Sequence, residues 1–289
     1  MTAILLRQIL DALQTLNPRK VQELAERRFT LGLLAADEFA LQAMVRFLLP
    51  PGISRSKARL AASHIFRIER EADFDRCDFG LAEPHLDRPP HFFAFEPSTP
   101  ARTMARIVDQ HEELWIPVAR QFVVFRNRVT ERLVGGIARE NAVFAAASAA
   151  RHLVPAFIEL PGAAENFASD ITFLTMNQIR MAFLIAAASD APVGYRNQQN
   201  QIASIVTSAF GWRALARKIV PRAPFCSGVA PKGLIAYAGT YVVGMGLKRY
   251  QQVGRGLTAQ EKRDLYSRAY QGGLAIVEEL VGHAAGRPW

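Results

Sequence analysis

"PKGLIAYAGTYVVGMGLKRY" spans residues 231–250 and contains four glycines, one basic residue near its start, a basic pair near its end and no acid. Its reading decides the fold. As a bilayer span it is short: the uncharged run from Gly233 to Leu247 covers fifteen residues, or ~22 Å of helix against a hydrocarbon core of ~30 Å. As a phosphate loop it lacks context, because no strand precedes Gly244-x-Gly246 and no third glycine follows at the right place. What remains is a closely packed helix. Ala236, Thr240 and Gly244 recur every four residues on one face, with Gly239 beside it, and small residues in that pattern let another helix backbone approach closely. Each glycine in a helix interior costs ~1 kcal/mol relative to alanine, so close packing must offset it.

Outward from this stretch the chain is basic. The net charge is +9 over 289 residues, with 18 basic and 16 acidic residues in positions 1–130 and 17 against 10 in positions 131–289. Residues 191–260 hold nine basic residues and no acid: Arg196, Arg213, Arg217, Lys218, Arg222, Lys232, Lys248, Arg249 and Arg255. Such a bias suits an anionic partner, and the bland alternative is a basic surface without a task. "FGWRALARKIVPRAP" (210–224) sharpens it. Phe210, Trp212, Leu215, Ala216, Ile219 and Val220 form an apolar side, while Arg213, Arg217 and Lys218 lie opposite, with Arg222 just beyond. A basic amphipathic helix with a tryptophan fits an anionic membrane surface; it also fits a surface helix packed on a core. Nucleic acid is disfavoured, since no recognised reading module accompanies the charge.

Towards the N-terminus the patterning changes. Residues 2–16 repeat apolar positions at helical spacing, and Asn17-Pro18 stops that helix or starts the next. "RFTLGLLA" (28–35) reads as a buried strand and "DEFALQAMVRFLL" (37–49) as a helix with Asp37 as N-cap. Residues 63–70, 74–82 and 91–97 read as further short strands. After Pro100 the pattern is helical, with helices expected at 101–114, 115–134, 137–153, 166–189, 198–220, 231–250 and 258–282. The expected fold is α+β, mostly α, with N-terminal helices over 1–27, a small α/β domain over 28–114 and a larger basic α-helical bundle over 115–289.

The chemistry-bearing motifs are missing. The junction "LGLLAADEF" (31–39) has no GxxxxGK[ST], and it puts Asp37 and Glu38 where phosphates would approach the helix N-terminus. No HExxH, zinc spacing or GxSxG occurs, and the cluster "DQHEEL" (109–114) fans around a helix. Cys77 and Cys226 lie far apart, which fits a reducing cytoplasm. The residues therefore offer no catalytic, cofactor or metal set.

Three segments in order carry a family resemblance: "TFLTMNQIRMAFLIAAASDAPVGY" (172–195), "FGWRALARKIVP" (210–221) and "GVAPKGLIAYAGTYVVGMGLKRYQQVGRGLT" (228–258). Over about residues 115–275 the chain resembles the helical domain of unknown function found with bacterial Era-like GTPases and in the YcjF-type inner-membrane proteins. Asn177, Gln178, Trp212, Arg213, Pro231, Lys232 and Tyr237 carry it best. The resemblance implies a role at the bacterial inner membrane coupled to a GTPase and supplies no catalytic residue. The α/β segment stands where a GTPase domain would, but has neither phosphate loop nor NKxD, and reads as degenerate and non-hydrolysing. The expectation is a cytoplasmic adaptor or scaffold peripheral to the inner membrane. Arg213, Arg217, Lys218, Arg222, Lys232, Lys248, Arg249 and Arg255 would face the anionic surface, and Ala236, Gly239, Thr240 and Gly244 a neighbouring helix. The alternatives are a regulatory partner of a separate GTPase and an enzyme with an unrecognised pocket in the helical domain.

Overall fold

The computed structural model describes residues 2–151, 170–208 and 229–284. The fold is α+β and mostly helical, and the chain divides into two units. One comprises residues 19–130 and 186–192, the other residues 1–18, 131–185 and 193–289. In this division residues 115–130, expected in the helical bundle, group with the α/β unit, and the first helix groups with the helical unit.

The α/β unit is built on four short parallel strands, β1 (Leu31–Leu34), β2 (Ile65–Arg67), β3 (Phe79–Ala82) and β4 (Phe92–Ala94), in the order β2-β1-β3-β4. β1 is central, with Leu31 opposite Ile65 on one side and Phe79 on the other. β3 and β4 pair Gly80 with Phe92 and Ala82 with Ala94. β1 and β3 are buried nearly throughout, as parallel strands covered on both faces must be. Gly32 and Gly80 make room for one ring: a Cβ on either would lie 2.4 Å or 2.1 Å from Phe92. Phe74 meets Phe92 edge to face at 5.0 Å, and Ile68, Cys77 and Ala82 complete that core.

The helices of this unit start where local chemistry starts them. Proline opens α2 (Pro18–Ala25) at its first turn, where its missing N–H is not needed. Asp37 caps α3 (Glu38–Leu48), and Ser54 caps α4 (Arg55–Ala62). The strand expected over 74–82 is divided: Glu71–Arg76 is a 3₁₀ turn and only Phe79–Ala82 is strand. Then come α5 (Pro100–Gln110), a 3₁₀ turn at Glu112–Leu114, and α6 (Trp115–Gln121). Arg126 closes α6 by donating Nε to the Ala119 carbonyl at 3.0 Å and Nη2 to that of Arg120 at 3.2 Å. Asp190, in the left-handed region at φ 60°, pairs with Lys57 and with Arg120 Nε at 3.3 Å.

The helical unit contains α1 (Thr2–Leu13), α7 (Val123–Arg151) from Glu131 onward, α8 (Asp170–Ala188) to Ile185, helical residues 199–208 (α9), α10 (Val229–Val253) and α11 (Ala259–Ala284). α7 runs through Gly135-Gly136, where two helices were expected. Glycine weakens a helix interior but does not end it without a cap or proline. α10 and α11 form an antiparallel hairpin. Gly254, at φ 73°, ends α10 with its N–H on the Tyr250 carbonyl at 2.8 Å. Thr258 and Glu261 then form a capping box: Thr258 N donates to Glu261 Oε2 at 2.8 Å and Glu261 N to Thr258 Oγ1 at 3.3 Å. Leu234 and Tyr237 pack with Ala138 and Ala142, and Gly273 lies where a Cβ would meet Tyr237 at 2.8 Å. Tyr195 ties α1 into this unit by donating its hydroxyl to the Leu16 carbonyl at 2.8 Å.

Candidate functional site

In an open parallel sheet a crevice forms outside the carboxyl ends of two adjacent strands whose connections leave in opposite directions. Here those strands are β1 and β3. A nucleotide phosphate would lie there, against the N-terminus of α3. The chain's own carboxylates hold that place instead. Asp37 Oδ1 accepts the Ala40 amide at 2.8 Å, and Glu83 Oε2 accepts the Ala36 amide at 3.0 Å. Glu83 is fixed in turn, since its own amide donates to the Leu34 carbonyl at 3.1 Å. Two amides that could bind an anion are satisfied, and two negative charges sit at the positive end of the helix dipole.

Beside this point opens a cleft of about 630 Å³. Leu34, Ile68, Phe74 and Leu86 give it an apolar floor, and Glu69, Arg70, Glu71, Asp87 and Arg88 line it from the loops after β2 and β3. Asp73 shapes the first loop. Its carboxylate, 4% exposed, accepts the amides of Glu69 at 3.3 Å and Arg70 at 3.1 Å and pairs with Arg70 and Arg76. Burial pushes this carboxyl up, but the two amides and the two guanidinium charges outweigh it, so it lies below its ordinary value. Arg88 shapes the second loop, donating Nη1 to the carbonyls of Pro84 at 3.0 Å and Leu86 at 3.1 Å. Cys77 is buried, and burial above all pushes its thiol up to about 11, away from the thiolate form.

In the helical unit the small-residue face of α10 meets α7 and α8. Ala236, Gly239, Thr240 and Gly244 are all buried. A Cβ on Gly244 would lie 2.6 Å from Val134 and 2.9 Å from the Met181 sulfur. Thr240 joins a buried polar network. Its Oγ1 accepts from Asn141 Nδ2 at 2.8 Å and from Gln178 Nε2 at 3.2 Å, while Asn177 Nδ2 donates to Asn141 Oδ1 at 2.8 Å. Asn141, with no exposed surface, also donates to the Leu174 carbonyl at 3.4 Å. Buried amides in an apolar bundle must find such partners. Asn177 and Gln178 belong to the resemblance quoted above. Asn141 was missed, although an amide between Glu140 and an alanine-rich run marks a helix face with a polar task.

The basic residues fall into three groups. Arg213, Arg217, Lys218 and Arg222 lie outside the described residues. Lys232 and Arg255 are exposed. Lys248 and Arg249, expected to face an anionic surface, each pair with a carboxylate of the same unit. Lys248, 7% exposed, places Nζ 2.7 Å from Glu131 Oε1, and Arg249 Nη1 donates to Glu261 Oε1 at 2.6 Å. Their charges are met within the unit. Among the described residues no group of three or more His, Cys, Asp or Glu side chains could hold a metal ion.

Compared with protein-family models, with curated proteins and with solved structures, the chain finds no match. The resemblance to the Era-associated and YcjF-type helical domain therefore rests on the quoted segments alone.

Proposed function

We propose that the chain is a non-hydrolysing adaptor that holds its α/β unit at the cytoplasmic face of an anionic membrane. The observation that carries this reading is the pair of carboxylates, Asp37 and Glu83, on the amides where a nucleotide phosphate would bind. A unit whose amides at that edge are already held by its own carboxylates has docking left to do, and a separate GTPase is the partner the family resemblance favours.

α8 is long and apolar enough to cross a bilayer by length and composition, but it is mostly buried in the fold, as a bundle core helix is, and does not bear on peripheral attachment. One feature supports the membrane half. The basic segment 210–224, with Trp212 among its apolar residues, has the chemistry to lie among headgroups, where each basic group near an anionic surface contributes ~1 kcal/mol. Co-sedimentation of the full chain with vesicles tests it. Binding to phosphatidylglycerol vesicles at low salt, weakened at high salt and absent on phosphatidylcholine, is expected. Recovery in the supernatant at low salt would overturn the membrane half.

A further inference from the structure

We infer that the cleft at the carboxyl end of the sheet binds a small organic cation, a molecule carrying an amine or guanidinium on an apolar body. This goes beyond the adaptor reading and does not depend on it. The place is where open α/β sheets bind ligands, and about 630 Å³ lies within the ~300–1,000 Å³ of small-molecule sites.

The lining sets the chemistry. Of its two cations, Arg70 is offset by Asp73 at 3.7 Å, and Arg88 is held in place by two backbone carbonyls and keeps its charge, so the three acids Glu69, Glu71 and Asp87 outnumber the one cation left unoffset. Among the described residues Asp87 accepts only the neighbouring Arg88 amide, and Glu69 and Glu71 make no side-chain hydrogen bond or ion pair. Asp37 and Glu83 add negative charge on the adjacent sheet edge. The local field is therefore negative in a chain of net charge +9, and an anionic ligand would be repelled where a cation is drawn in. The apolar floor of Leu34, Ile68, Phe74 and Leu86 receives a hydrocarbon body. Displacing water there strengthens the attraction between the bound cation and the carboxylates at the rim.

The test titrates the full chain by calorimetry with three probes of one shape: 4-phenylbutylamine, 4-phenylbutanol and 4-phenylbutyrate. The amine is expected to bind saturably and about tenfold tighter than the alcohol, with no saturable binding of the carboxylate. The double variant Glu69→Gln/Glu71→Gln, which changes two exposed side chains, should retain its melting temperature and lose about tenfold in amine affinity. Equal binding of amine and alcohol, preference for the carboxylate, no binding by any probe, or an unchanged amine affinity in the folded double variant would each overturn the inference.

Discussion

Glu83, the first residue after β3, accepts the amide of Ala36, two residues after the end of β1, at 3.0 Å. This bond joins the two central strands at the point where their connections part. It places a carboxylate where a phosphate-binding fold would leave amides open to an anion. With Asp37 on the Ala40 amide, the sheet carries its own anions at that edge.

Asp37→Ala should destabilise the α/β unit by ~1 kcal/mol, the usual cost of losing an N-cap side chain, while Asp37→Ser should cost a few tenths at most. Urea unfolding followed by circular dichroism separates the two. Equal stability of Asp37→Ala and the parent would mean that the cap contributes nothing.

Two glycine-to-alanine changes should have opposite signs. At Gly244 a methyl would meet Val134 and Met181 at under 3 Å, so Gly244→Ala should cost ~1–3 kcal/mol through overpacking. At Gly272, on α11, a Cβ meets nothing within 4 Å, and Gly272→Ala should gain up to ~1 kcal/mol from helix propensity. Thermal midpoints moving in the same direction would contradict the assigned packing face of α10.

Thr240→Val keeps the shape of a buried side chain but removes the oxygen that accepts from Asn141 and Gln178. A loss of ~1–3 kcal/mol is expected, because two buried donors lose their acceptor. Adding Asn141→Leu should cost less than its single-variant value, since the two residues share one network. Additive losses in a double-mutant cycle would show that they do not.

Acid should weaken the α10–α11 hairpin through Glu261. Its carboxyl lies below the ordinary 4.5 because it accepts the Thr258 amide, then the Arg249 guanidinium, then the Thr258 hydroxyl. A group lowered on folding binds fewer protons when folded, so its stabilisation is present above its unfolded value and is lost as pH falls through the folded one. Urea midpoints at pH 7, 4 and 2.5 should fall more steeply for the parent than for Glu261→Gln. At the other extreme, burial pushes the Tyr266 phenol up to about 12, so its contribution is present below pH ~10 and fades from there towards its folded value.

The helices and strands were legible where pattern and cap agree. The expected 37–49 helix is α3 behind its Asp37 cap, and the stretch that opened the reading is α10, extended to Val229–Val253. α4 was not foreseen, because "RSKARLAA" has little apolar periodicity and is announced only by Ser54. The parallel order of the strands was not legible, since three- and four-residue strands carry too few positions to show which neighbour they pair with. The small-residue face was readable from spacing, but its partners, Val134, Asn141 and Met181, are set by the tertiary fold. Lys248 and Arg249 show the limit of charge counting: their carboxylate partners lie 117 and 12 residues away in sequence.

Calorimetric titration of the full chain with magnesium-bound GTP and ATP tests most directly whether the α/β unit is closed to nucleotide by its own carboxylates. No saturable binding at millimolar nucleotide is the expected result. Saturable binding in the micromolar range, with the Ala36 and Ala40 amides shifted in the NMR spectrum of the complex, would contradict it.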